Sequence, residues 1–484
     1  MGLAARAEGW KIRRSADKWG QSKNTILYFY SDPNCLPGET TMNRSKSIYS
    51  SPALGLRAAG FALFLGLLAV APAASSHEAN LTRFGPETYE LVQGKPTTHS
   101  TTFRAIDGPA KLVLQDEGID NAWIKINGRD VVEPQDFSGN GEVIVDLNLT
   151  RENTIEVTVP GIPDGELGVR VTQVTEADLG LLRQGYFGLN TTDIERQRAL
   201  YDTMGFIGEI YPAGPETSTT FAQSLGFPDD YLIYVSLHSL EDPPTQPFVD
   251  TVQFRGNSYR EEPPYAKLNH IGMTYGTYST TDLEGDYAYF QSKGVGFLSA
   301  PTTAPNGERF VFMKDQDGTF IKLVETAEGE GPTPGPDLVR LANTNMNVTD
   351  LQRSREFYRL LGFTESAPGS QAGSGDFAAA HGFDGPIEFE GEDISLGEGT
   401  DGATIQLRQW KSPYDNAPSY PPPVNHLGID RINFYVEDLT ATIETMNDLG
   451  FEQLGPIGGG PGFGIVFFFD PDGIKVQLSG PRTD

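Results

Sequence analysis

The sequence predicts an α+β protein in which four repeated strand–helix–strand units follow an all-β segment. The first observation is repetition. Residues 190–206 read NTTDIERQRALYDTMGF and residues 347–363 read NVTDLQRSREFYRLLGF, with fainter echoes that begin at Asp282 and Asp438. The second is the punctuation of the repeat. Asp193, Asp282, Asp350 and Asp438 are each followed twelve positions later by Gly205, Gly294, Gly362 and Gly450. An Asp at the N-cap and a Gly just past the C-terminus suit a helix of that length. The third is size: 484 residues exceed one compact core, and 38% hydrophobic with 11% aromatic residues suits several globular domains.

The leading segment comes first in the chain. Residues 1–73 hold nine of the 36 Lys/Arg and four of the 65 Asp/Glu, so the rest carries 27 − 61 = −34. That surface repels nucleic-acid phosphates and anionic lipid, and neither is expected as a partner. Residues 42–73 have the layout of an export signal. Arg44, Lys46 and Arg57 precede an apolar run from Ala58 to Ala71, then Ala71-Pro72-Ala73 offers a small-residue cleavage site. The run is short for a bilayer span, so a secreted or periplasmic protein without stable membrane insertion is expected, with an N-terminal anchor as the alternative. Residues 1–41 read as a doubtful leader in front of Met42. Cys35 is the only cysteine. A mature chain without it has no disulfide, thiolate nucleophile or cysteine metal site.

Residues 82–176 alternate apolar and polar positions in seven strand-like runs, with Asn127-Gly128 as a hairpin dipeptide. They read as an antiparallel sandwich and resemble immunoglobulin-like accessory domains of exported bacterial proteins, a spacer or docking module. Beyond residue 180 the repeat landmarks keep fixed offsets. The Asp residues lie 89 and 88 apart within a block and 157 and 156 apart between blocks. Phe221 and Phe377, Gly226 and Gly382, and Asn269-His270 and Asn425-His426 follow the second offset. This is a two-unit block duplicated. The expected divisions are 181–327 (units 181–263 and 264–327), a linker at 328–337, and 338–481 (units 338–423 and 424–481).

The repeated helix cadence and the closing runs FMKDQDGTFIKLVE (312–325) and FFDPDGIKVQL (468–478) resemble the vicinal oxygen chelate superfamily of glyoxalases, bleomycin-resistance proteins and extradiol dioxygenases. The resemblance covers roughly residues 181–481 and implies βαβββ modules paired into two domains, each enclosing a cavity. It also implies metal-ligand positions on the first and last strand of each module. Carried over, the first-strand positions are Tyr186, Tyr275, Asn343 and Arg431, and the last-strand positions are Asp250, Lys322, Gln406 and Gln477. None is histidine and one is a carboxylate, whereas a divalent ion wants several such donors to converge. Metal-free sites without a cofactor are therefore expected.

Strand alternation gives the inward side chains. Arg431, Asn433 and Tyr435 alternate with apolar Ile432, Phe434 and Val436. The same reasoning turns Asn343, Asn345 and Asn347, then Gln406, Arg408 and Trp410, then Lys475 and Gln477 inward. Amides, arginines and a tryptophan suit a small polar or carboxylate-bearing molecule. The first block keeps Tyr186, Tyr275, Asp250 and Lys322 as acid–base candidates, with an Asp250–Lys322 ion pair as the structural alternative.

His270 and His426 suit a structural hydrogen bond at a module junction, and His238 and His381 share no repeat position. The DQDG and DPDG runs lack the remaining ligands of a calcium loop and read as hairpin turns. Three function classes follow: a binding protein for a small polar molecule, an enzyme (a metal-independent isomerase or lyase, or a metal-dependent glyoxalase or dioxygenase), and a scaffold.

Overall fold

A computed structural model describes residues 76–483 except 91–93, 95, 119–120, 138–139, 161–164, 213–218, 230, 242–243, 245, 328, 330–332 and 397–403. The leader, the export signal and part of the 328–337 linker lie outside the described residues. Among the described residues no helix is long and apolar enough to cross a membrane.

The N-terminal β domain has eight strands rather than seven. They are β1 (His77–Glu90), β2 (Thr97–Arg104), β3 (Gly108–Glu117), β4 (Trp123–Ile126), β5 (Arg129–Val132), β6 (Asn140–Leu149), β7 (Glu152–Val159) and β8 (Glu166–Ala177). The extra strand arises because 122–132 folds back on itself. Asn127 and Gly128 take φ 50° and 76°, the positive pair that a tight hairpin between right-twisted strands requires. The sheets run β1–β8–β3–β6 and β2–β7–β4–β5. Leu112, Leu114, Val169 and Val171 of one meet Ile124, Ile155 and Val157 of the other in a shared core. Each such side chain contributes about 1.5–3 kcal/mol by burial.

Module 1 is β9 (Leu181–Asn190), α1 (Ile194–Thr203), β10 (Ile207–Pro212), α2 (Thr219–Ser224), β11 (Leu232–Ser239) and β12 (Phe248–Arg255). Module 2 is β13 (Tyr275–Thr280), α3 (Leu283–Ser292), β14 (Gly296–Phe297), β15 (Thr302–Thr303), β16 (Arg309–Lys314) and β17 (Phe320–Glu325). Module 3 is β18 (Leu338–Asn347), α4 (Leu351–Leu360), β19 (Phe363–Pro368), β20 (Gln371–Gly373), α5 (Asp376–Ala380), β21 (Ile387–Leu396) and β22 (Thr404–Ser412). Module 4 is β23 (Gly428–Val436), α6 (Leu439–Asp448), β24 (Gly458–Gly460), β25 (Phe463–Phe469) and β26 (Lys475–Pro481). The four ten-residue helices start where the repeat puts them. The carboxylates of Asp193, Asp282, Asp350 and Asp438 accept from first-turn backbone N–H groups.

Module pairing corrects the expectation from sequence order. One sheet runs β10–β11–β12–β9–β23–β26–β25–β24, so module 1 pairs with module 4. The other runs β14–β16–β17–β13–β18–β22–β21–β19, so module 2 pairs with module 3. Antiparallel first strands form each seam, with Gly188 beside Arg431 and Thr277 beside Asn343. The helix-facing sides of both sheets share one core, which holds Phe187, Tyr278, Met346, Phe357 and Phe434.

This pairing obliges the chain to cross between sheets twice, after β12 and after β22, and the two crossings grip each other. The Tyr265 and Tyr420 rings stack at 3.8 Å and 8°. His270 stacks outside Tyr265 at 4.0 Å and His426 outside Tyr420 at 4.3 Å. The Tyr265 N–H donates to the Tyr420 hydroxyl at 2.8 Å, and the Tyr420 N–H to the Tyr265 hydroxyl at 2.9 Å. A Cβ at Gly272 would lie 2.6 Å from the Tyr265 hydroxyl, which accounts for the glycine two positions after His270. The two DxDG turns bind consecutive modules across the sheets. Asp317 accepts from Thr191 and Thr192, and Asp472 accepts from Thr349, Ser354 and Arg353.

The β domain is fastened to modules 3 and 4. Arg170 pairs with the α4 cap Asp350 at 2.6 Å, the Asn80 N–H donates to Glu356 at 2.8 Å, and Arg83 donates to the Leu449 carbonyl at 2.7 Å. Ala79, Leu81, Ala177 and Leu179 join the core of the modules.

Candidate functional site

Each sheet carries a polar row on the face turned away from the long helices, and the non-sequential pairing decides which side chains meet. On the face of modules 1 and 4, β9 supplies Tyr186, β12 Asp250, β23 Arg431 and Asn433, and β26 Lys475 and Gln477. Arg431 Nη2 donates to Asp250 Oδ2 at 2.9 Å, and Nη1 donates to Asp430 Oδ1 at 2.8 Å and to Asn190 Oδ1 at 3.2 Å. Gln477 donates to the Tyr186 hydroxyl at 2.7 Å and Asn433 to Ser479 Oγ at 2.6 Å. Tyr435 lies at the end of the row, its ring 4.8 Å from the Arg183 guanidinium. Lys475 Nζ donates to the Tyr420 carbonyl at 2.8 Å, and burial pushes its ammonium down to about 8. Burial also raises the Asp430 carboxyl. Burial would lower the Arg431 guanidinium, but the nearby Asp430 and Asp250 carboxylates outweigh it and hold it charged.

On the face of modules 2 and 3, β13 supplies Tyr275, β17 Lys322, β18 Asn343 and Asn345, and β22 Gln406, Arg408 and Trp410. Lys322 pairs with Glu308, and Arg408 Nη2 pairs with Asp393 Oδ1 at 2.6 Å. Between the pairs, Gln406 Nε2 donates to Asp393 Oδ2 at 3.3 Å while its Oε1 lies 3.4 Å from the Tyr275 hydroxyl. Asn345 accepts from Thr274 at 2.6 Å, and Trp410 Nε1 donates to Asn347 at 3.1 Å. The side-chain amide oxygen of Asn343 is buried without a hydrogen-bond partner. Burial works to lower the Lys322 ammonium and to raise the Glu308 carboxyl, but their mutual attraction wins in both, so the pair is ionised. His381 stands beside this cluster among Phe310, Phe312 and Phe377, its Nδ1 bonded to the Phe377 carbonyl at 2.8 Å. Burial lowers its imidazole to about 4, so it is neutral.

Three expectations are corrected. The set Tyr186, Asp250, Tyr275 and Lys322 is divided, because modules 1 and 2 lie in different sheets. Asp250 and Lys322 do not pair with each other; Arg431 and Glu308 are their partners. Among the described residues, the expected open cavities are filled. Phe221, Phe227, Tyr231 and Phe254 pack around α2 on one face, and Phe310, Phe312, Phe377, Phe389 and Trp410 around α5 on the other. Two recesses among the described residues have cavity volumes of ≈ 10 Å³ each, room for about one water molecule. One of them lies against Lys475, Asp430 and Tyr420.

The residues do not fit a divalent ion. With the observed pairing, the positions carried over from the resemblance become Tyr186, Asp250, Arg431 and Gln477 in one sheet and Tyr275, Lys322, Asn343 and Gln406 in the other. Each set contains a cation that already holds a carboxylate. Among the described residues no three His, Cys, Asp or Glu side chains group as metal ligands. Sequence reasoning missed Glu308, Asp393 and Asp430. The signal was available, since a lysine or arginine facing a closed interior needs a carboxylate within reach.

Residues 340–478, within modules 3 and 4, match the model of the Glyoxalase/Bleomycin resistance protein/Dioxygenase superfamily. No curated protein matches the chain. Among solved structures, glyoxalase I from Zea mays is similar at 16% identity over 62% of this chain and 92% of its own, with a TM-score of 0.42. A putative dioxygenase from Bacillus subtilis is similar at 11% identity over 62% of this chain and 85% of its own, with a TM-score of 0.40. A glyoxalase family protein from Bacillus cereus is similar at 21% identity over 33% of this chain and 99% of its own, with a TM-score of 0.27.

Proposed function

We propose that this glyoxalase/dioxygenase-like protein binds a small carboxylate-bearing molecule at the face of modules 2 and 3, without a metal step. The observation that carries the reading is the unequal access of the two faces. The carboxylates that hold Lys322 and Arg408 reach solvent, with Glu308 26% and Asp393 21% exposed. Those that hold Arg431 are more enclosed, at 14% for Asp250 and 0% for Asp430. A ligand carboxylate can replace Asp393 on the Arg408 fork as one anion for another, which avoids burying an extra charge. The export signal read in residues 42–73 supports action outside the cytoplasm, with the β domain as an immunoglobulin-like spacer.

The test is calorimetric titration with acetate, dicarboxylates and aromatic acids, with neutral polyols as controls. Exchange at one ion pair demands opposite effects from its two members. Arg408→Gln loses carboxylate binding, by about ten- to a hundredfold for a charge-assisted bond. Asp393→Asn, which removes the competing anion, tightens it. Equal binding of neutral polyols, or no carboxylate binding by either wild type or D393N, overturns the reading. A scaffold is the second reading, favoured by the filled inner faces, and the latter outcome would promote it.

A further inference from the structure

We infer that the inner face of modules 1 and 4 is a guanidinium cage whose resident cation is Arg431, in the place where the family resemblance would put a metal ion. Three groups of acceptors converge on one planar fork: Asp250 at 2.9 Å, Asp430 at 2.8 Å and Asn190 at 3.2 Å. They come from β12, β23 and β9, so the cation ties module 1 to module 4 across the seam. The floor of the cage is Gly188. A Cβ there would lie 2.2 Å from Arg431 Cζ and 2.4 Å from Nε, so the guanidinium fills the space of the missing side chain. The other sheet repeats the device independently, since Arg408 lies against Gly369 and Gly391, where a Cβ would come within 2.3 Å and 3.0 Å of its Nη1. A flat, delocalised cation that needs acceptors in its own plane suits such a slot, whereas a small divalent ion would leave most of it empty. Arg431 is 4% exposed, so the slot is not filled from solution while the side chain is present.

Arg431→Ala vacates the cage and leaves Asp250 and Asp430 facing each other. The expected result is a fall in Tm of several degrees, partly recovered by millimolar guanidinium chloride and not by matched sodium chloride. The same guanidinium addition leaves wild type unchanged or lowers its Tm. Zn²⁺ and Mn²⁺ give no recovery in R431A and no stoichiometric binding to wild type. Recovery by a divalent ion instead of guanidinium, or by neither, overturns the inference, as does a divalent ion bound by wild type. If R431A does not fold, Asp250→Asn with Arg431→Met decides. The cage expects the pair to be more stable than R431M alone, and equal or lower stability refutes it.

Discussion

Tyr420→Phe isolates one half of the linker clasp. The substitution keeps the ring stacked at 3.8 Å on Tyr265 and removes only the hydroxyl that accepts the Tyr265 N–H at 2.8 Å. That N–H is then a buried donor without its partner, at a cost of about 1–3 kcal/mol. Local opening at residue 265 becomes easier by that amount, which is about a 5- to 150-fold rise in its amide exchange rate. The assay is hydrogen–deuterium exchange read on peptides containing Tyr265 and Tyr420. Because the two bonds are reciprocal, Y420F accelerates the amide of residue 265 and spares that of residue 420. Tyr265→Phe does the reverse through the 2.9 Å bond. Burial raises both phenols, so neither hydroxyl ionises in the working pH range. Equal acceleration at both amides in either variant, or none at either, would refute the reciprocal clasp.

Asp472→Asn faces Arg353 with a neutral amide where a 2% exposed carboxylate stood, at a cost of about 3 kcal/mol, the low end for a broken buried pair because Arg353 is 18% exposed. Asp317→Asn, whose donors are all neutral, should cost about 1 kcal/mol, and urea midpoints that reverse this order would sink the comparison. As pH falls through 6.5, the first acid sensitivity comes from histidines. Burial lowers His238 to about 3 and His381 and His426 to about 4, so each favours the fold above its ordinary 6.5 and loses that stability as pH falls through 6.5 towards 4. Asp470 and Asp315, raised by burial to about 7 and about 6, act the other way, because their stabilising protonated forms are lost as pH rises. Asp470→Asn should therefore steepen the loss of stability below pH 6.5, and a Tm–pH profile that is flatter than wild type there would contradict the assignment.

What was legible in the sequence was whatever one strand or one helix decides alone. The Asp caps, the glycines after each helix (Gly205, Gly294, Gly362 and Gly450, all with φ near 90°) and the alternation along β23 are local patterns. The partner of each module was not legible, because Ile432, Phe434 and Val436 pack against a helix side in the same way whichever first strand lies beyond the seam. Asp430 escaped the alternation argument for a local reason. The register slips between Ile429 and Arg431, so two neighbouring residues meet at one guanidinium. Glu308 precedes β16 and so fell outside any strand pattern.

The interleaved pairing also fixes which sheet can close first as the chain is made. Modules 2 and 3 adjoin in sequence, and their sheet can close once β22 has been made. Module 1 must wait, since Arg431 meets Asn190 across 241 residues and its sheet is completed only by the strands of module 4. Until then the seam edge of β9 is open to any other extended chain. Newly made protein is thus exposed longest at the seam edge of module 1.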